Sequence, residues 1–154
     1  MSKDNLMEKL CNCGGLMTLH MHSLIFNTKI KINHVPVYNC PECASYEPLQ
    51  YIKADLGRLV KELTRDVPRE DCFFTERNEL ASVLKEVLSQ TIIGGLPELE
   101  KMIREAIQGR VDMLLDLYRL AEELTDREWM EETSQRLSQL TCQMAENKDY
   151  KKFV

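Results

Sequence analysis

The sequence lacks several features that would assign it a class at once. No apolar run approaches the roughly 20 residues needed to span a bilayer. No charged-then-apolar leader precedes the first cysteine, so the start Met1-Ser2-Lys3-Asp4 reads as that of a cytoplasmic protein. Aromatic residues are only 6% of the chain, and all three histidines fall in the first 34 positions. A second half without histidine has no Glu-x-x-His pair for a carboxylate-bridged metal bundle. No Gly-rich phosphate loop and no nucleophile elbow occur either. Basic residues are outnumbered, 20 Lys and Arg against 25 Asp and Glu, for a net charge of −5. Nucleic-acid binders rely on a basic stripe to neutralise phosphate, and none is visible. A nucleic acid is therefore not the favoured partner, and a membrane is not expected.

What the chain does have is cysteine in a pattern. Cys11-Asn12-Cys13-Gly14-Gly15 is followed by 24 residues and then Cys40-Pro41-Glu42-Cys43. Two close cysteine pairs beside turn formers, separated by strand-like sequence, are what a tetrahedral Zn²⁺ site requires. Cys11, Cys13, Cys40 and Cys43 are the expected ligands of one structural zinc ion. The Cys-x-Cys half is one residue shorter than the usual spacing. His20, His22 and His34 are the residues that would replace a cysteine if the short loop failed to chelate; otherwise they are solvent-facing strand residues. With no export signal, a reducing compartment is expected and a disulfide framework is not. Cys40-Pro41-Glu42-Cys43 alone looks like a redox pair, but the βαβ context of that chemistry is missing. The single thiols Cys72 and Cys142 read as buried and inert, with redox sensing as the alternative.

Between the knuckles the pattern has period two. Met17, Leu19, Met21 and Ile25 alternate with Thr18, His20, His22 and Leu24, then Asn27-Thr28 marks a turn. Ile30 and Ile32 alternate with lysines, and Val35-Pro36-Val37-Tyr38 is extended. The order knuckle, hairpin, knuckle predicts a small zinc-binding β module over residues 1–50, with Leu6, Met7 and Leu10 forming a half-turn against it. So small a module buries little apolar surface, so metal binding would supply much of its folding energy.

Gly14-Gly15, the polar hairpin and His34-Val35-Pro36-Val37-Tyr38-Asn39-Cys40-Pro41-Glu42-Cys43 resemble the YgiT-type zinc-finger family. That family includes the N-terminal domain of MqsA-type antitoxins. The resemblance covers about residues 8–65 and implies structural zinc on Cys11, Cys13, Cys40 and Cys43. The chain departs from that pattern in its Cys-x-Cys knuckle. It departs again in its C-terminal region, which does not resemble the antitoxin's helix-turn-helix domain.

Beyond Pro48 the period becomes helical. Leu56, Leu59, Val60 and Leu63 share one face of a helix from about 51 to 65, and Pro68 with Glu70-Asp71 reads as a linker. Residues 51–71 are thus a connecting helix and linker, 72–146 an acidic helical bundle, and 147–154 a frayed tail. Thr75 is the expected cap of a helix whose stripe is Leu80, Val83, Leu84, Val87 and Leu88, stopped by Gly94-Gly95. Leu99, Ile103, Ala106, Arg110, Met113, Leu117, Leu120 and Leu124 form a heptad seam broken by Arg110. Thr125-Asp126-Arg127-Glu128 reads as a capping box opening a last helix with Trp129, Met130, Thr133, Leu137, Leu140 and Met144. The fold class expected is α+β, a zinc-knuckle hairpin module followed by an all-α bundle.

These features bear on three kinds of function. A zinc-binding regulator or adaptor would act through protein contacts of the helical region, with a protein partner or a homodimer along the 99–124 seam. A DNA-binding regulator or antitoxin-like protein would use the local basic cluster Lys29, Lys31, Lys53, Arg58, Lys61 and Arg65, diluted by Glu62 and Asp66. An enzyme is not expected, because four cysteines close the metal site. The acidic runs Glu122-Glu123 and Glu131-Glu132 read as a solvated face.

Overall fold

The two strand-like stretches form the expected hairpin. The structure, a computed structural model, describes residues 6–26, 30–65, 72–90 and 94–141. β2 (Leu16–Phe26) and β3 (Ile30–Asn39) pair antiparallel, with Leu19 opposite Tyr38 and His20 opposite Val37. The predicted turn at Asn27-Thr28 lies outside the described residues. Between His22–Val35 and Leu24–Ile32 the register jumps, so that Ser23 faces both Asn33 and His34. This is a β-bulge, and His34 takes it up in the left-handed region at φ 61°. The Ser23 hydroxyl donates to Asn33 Oδ1 at 2.7 Å across it. Ile25, expected on the face of Met17 and Leu19, is mostly exposed where the hairpin runs out into solvent.

Short strands extend this hairpin on both sides. The lead segment is a strand rather than a half-turn: β1 (Glu8–Leu10) pairs with Leu16–Thr18, and Met7 alone of its three apolar residues is buried. The Tyr38 hydroxyl donates to the Leu6 carbonyl at 2.7 Å and ties this lead to β3. β4 (Tyr46–Pro48) pairs with Val37–Asn39 on the other edge. A 3₁₀ turn (Gln50–Ile52) then enters α1 (Lys53–Arg65), which buries Leu56 and Leu59 and half-buries Val60 and Leu63 as its period requires.

The boundary expected at residue 71 does not separate two cores. Just beyond it β5 (Cys72–Phe73) pairs parallel to β3, with Ile32 opposite Cys72. Phe74, Leu80 and Leu84 from one side of that boundary and Val35, Leu49 and Ile52 from the other belong to one fully buried cluster. The helix expected from Thr75 starts later. Phe74–Glu76 is a 3₁₀ turn, and the Asn78 side chain accepts from Ala81 N–H at 2.9 Å to cap α2 (Glu79–Leu88). Asn78 is itself held by a 2.7 Å bond to Asp55 of α1.

Gly94, at φ 115°, opens the next helix instead of merely closing the previous one, and Pro97 lies in its first turn. α3 (Gly95–Glu123) and α4 (Arg127–Thr141) form an antiparallel hairpin. Its turn is a Schellman closure: Asp126 N–H bonds to the Ala121 carbonyl and Thr125 N–H to that of Glu122. Thr125 therefore ends α3 in the left-handed region at φ 54°, and Asp126, not Thr125, caps α4 by accepting from Trp129 N–H at 3.0 Å. The buried stripe of α3 is Ile103, Ile107, Val111, Leu114 and Ala121. Met113, Leu120 and Leu124 of the expected seam are exposed, so that seam lies along the flank of the true one.

Arg110 is an anchor rather than a break. Its guanidinium reaches Glu79 Oε1 at 2.7 Å, while Arg136 Nε reaches Glu79 Oε2 at 2.6 Å, joining α2, α3 and α4. The Gln139 side chain accepts from Glu79 N–H and donates to the Arg77 carbonyl, completing the knot. Glu79 also suits the first turn of α2, where the helix dipole favours a carboxylate.

Two substitutions probe these ties. Thr125→Gly removes the cost of a β-branched residue in the left-handed region, so the urea midpoint should rise by the equivalent of about 1 kcal/mol. Glu79→Ala leaves two mostly buried guanidiniums with only the longer, solvent-exposed contacts to Glu86 at 3.6 Å and Glu132 at 4.0 Å, and should lower stability by about 2 kcal/mol. A neutral Glu79→Ala would mean that the knot contributes nothing net.

Candidate metal centre

Both cysteine pairs sit in loops closed by the same hydrogen bonds. In the second knuckle Cys40 N–H donates to the Ser45 carbonyl at 3.0 Å, and Ala44 N–H to the Cys40 carbonyl at 2.8 Å. In the first, Cys11 N–H donates to the Gly15 carbonyl and Gly14 N–H to the Cys11 carbonyl, each at 2.9 Å. In each loop the residue after the second cysteine is left-handed, Gly14 at φ 97° and Ala44 at φ 62°. The Cys-x-Cys loop is thus the Cys-x-x-Cys loop with one residue removed ahead of an identical closure. Its shorter spacing still aims both sulfurs inward.

The hairpin brings the two loops together. Cys11 Sγ lies 3.6 Å from Cys43 Sγ, and Cys13 Sγ lies 3.6 Å from Cys40 Sγ. All four sulfurs fall within 4.8 Å of one another. A tetrahedral ion with metal–sulfur bonds of about 2.3 Å sets sulfur–sulfur edges of roughly 3.8 Å, so the cluster fits such an ion with little adjustment. The same distances are far too long for a disulfide, whose S–S bond is about 2.05 Å. Cys40 is fully buried at the base, Cys11 is half-buried, and Cys13 and Cys43 face outward.

Hydrogen bonds divide the thiols. Gly15 N–H donates to Cys13 Sγ at 3.4 Å and favours its thiolate. Against that bond, the crowding thiols of Cys43, Cys40 and Cys11 together push Cys13 up to about 12. Cys43 moves down to about 6, first because the Ser45 hydroxyl lies 3.0 Å from its sulfur and then through the Ser45 N–H. Thiolates packed this closely compete for charge, and a cation among them lifts that competition.

Among the described residues the potential ligands drawn together are these four cysteines alone. His20 bonds through Nε2 to the Thr18 hydroxyl at 2.8 Å, and His22 packs edge-on against Tyr46 at 5.2 Å. Burial, and then neighbouring His20, lower the pKa of His22. His34 occupies the bulge with its ring 5.3 Å from that of Phe73. Cys72 is half-buried on β5, where burial pushes its thiol up; Cys142 lies outside the described residues. Of the basic cluster, Arg58 is paired with Asp55, and Lys53 lies 3.7 Å from Glu47, which also binds Lys9. Among the described residues no helix is long and apolar enough to cross a membrane.

A scan against protein-family models and searches of curated proteins and solved structures found no match to this chain.

Gly14-Gly15 is expected from the sequence to reverse the chain and turn N–H groups toward thiolate sulfur, as Gly15 N–H does toward Cys13, but Gly15 has a further role. A Cβ there would lie 2.7 Å from Glu42 Cγ and 3.0 Å from Cys40 Sγ, so any larger residue must push the Glu42 side chain aside and press on the Cys40 sulfur where the knuckles meet. Gly15→Ala should weaken metal retention at least tenfold in a chelator competition, whereas Ala44→Gly, which relieves a left-handed alanine, should retain it. Equal retention by Gly15→Ala would show that the knuckles do not need this close approach.

Proposed function

We propose that the four-cysteine cluster holds one structural Zn²⁺ and that the protein is a non-enzymatic, zinc-binding regulator or adaptor. In this reading it works in the cytoplasm, where the thiols stay reduced, and acts through protein contacts of its helical region. The observation that carries the metal assignment is the meeting of four sulfurs from two loops with matching closures. Four thiolates fill a tetrahedral zinc and leave no open position for a water, which favours a structural over a catalytic ion. The reading also draws on the resemblance of the knuckles and hairpin to YgiT-type zinc fingers. Nucleic-acid binding is the weaker alternative, since Arg58 and Lys53 are engaged by Asp55 and Glu47.

Native mass spectrometry of the reduced, purified protein tests the metal assignment. One zinc per chain is expected, and Cys40→Ser should lose it. A metal-free chain with Cys11–Cys13 or Cys40–Cys43 oxidised would replace this reading with redox chemistry.

A further inference from the structure

The tip of the α3–α4 hairpin is apolar and acidic at once. Met113, Leu120 and Leu124 are 44%, 43% and 63% exposed, and half-buried Leu117 lies between them. Their spacings of four, three and four place them on one face of α3, a strip about 17 Å long at 1.5 Å per residue. Single exposed leucines are ordinary on protein surfaces, but a contiguous stripe at helical spacing marks a contact face. The strip is uncovered because the ties described above attach α2 at Arg110 of α3 and at Arg136 and Gln139 of α4. The tip extends past them.

The charge around the strip is one-sided. Residues 111–141 carry eight acidic side chains and three arginines, a balance equal to the net −5 of the entire chain. Asp116 is a helical neighbour of both Met113 and Leu120, and Glu123 of Leu120. Of the three arginines, Arg136 is bound to Glu79, Arg119 lies 3.2 Å from Asp116 and offsets part of that carboxylate's charge, and Arg127 stands at the start of α4. On a second copy the strip would bring the same acidic flank against itself, and like charges so placed oppose association. Phosphate-rich surfaces are repelled by the same flank. An apolar face with anchors at helical intervals and an acidic border complements a helix with leucine-like anchors and a lysine or arginine border.

We propose that this strip is the docking site for a basic amphipathic helix of a partner protein. The inference deepens the adaptor reading given above and rests on it for its biological sense, while its geometry is independent of the metal. It specifies the class of partner: cationic, helical, and anchored by about three apolar side chains.

The test uses the full-length, metal-loaded chain and two labelled 14-residue amphipathic peptides. One is built of leucine and lysine; the other has the same leucines with glutamate in place of lysine. By fluorescence anisotropy at low salt, the lysine peptide should bind at least tenfold more tightly than the glutamate peptide. A Leu120→Ser, Leu124→Ser double variant should weaken that binding at least tenfold with circular dichroism and metal content unchanged. Asp116→Asn with Glu123→Gln should weaken it and flatten its salt dependence. Binding indifferent to the leucine changes, or equal for both peptides, would overturn the proposal. So would a dimer in sedimentation equilibrium that the leucine changes dissolve, because a second copy would then cover the strip. Zinc-loaded protein that binds neither peptide refutes the docking strip alone, whereas a metal-free chain that binds the lysine peptide refutes the zinc assignment alone.

Discussion

Four sulfurs within 4.8 Å of one another are the constraint on which the N-terminal half depends. Neutral thiols gain little from such crowding and thiolates repel, so the arrangement makes physical sense as a shell for a cation. The two loops accept this crowding because their backbones close identically and because Gly15 offers no Cβ where Cys40 and Glu42 approach. The ends of β1, β2, β3 and β4 all run into these loops, so fixing the sulfurs fixes the mouth of the sheet.

From that mouth the organisation passes to the helices through β3. Along one strand, residues pair with β2, with β4 and, beyond the bulge at His34, with β5. Phe74 follows β5 directly into the core and leads to α2, whose Glu79 is gripped by Arg110 and Arg136. The four-cysteine module and the helical unit thus share apolar packing.

Much of this was legible in the sequence, for local reasons. The knuckle spacing, the period-two hairpin, the α1 face and the existence of a long α3 each depend on neighbours a few residues away, and each appears where expected. β1 and β5 were not legible: strands of three and two residues have no period to read, and β5 is defined by its distant partner Ile32. The heptad pattern of α3 marks the flank and not the buried face because two apolar stripes run side by side, and the buried one includes Ile107 and Val111. Arg110 was the clue, since a charge within a seam requires a partner, here Glu79 thirty-one residues away. Threonine and aspartate are both good caps, and only the backbone angle at Thr125 shows which of the two serves α4.

The central claim is that the four thiols, and no histidine, surround one zinc ion. X-ray absorption at the zinc edge of the purified protein reads this directly. Four sulfur neighbours at about 2.3 Å and no nitrogen shell are predicted. A nitrogen neighbour at about 2.0 Å would place a histidine in the coordination sphere and contradict the claim, as would a protein that retains no zinc at all.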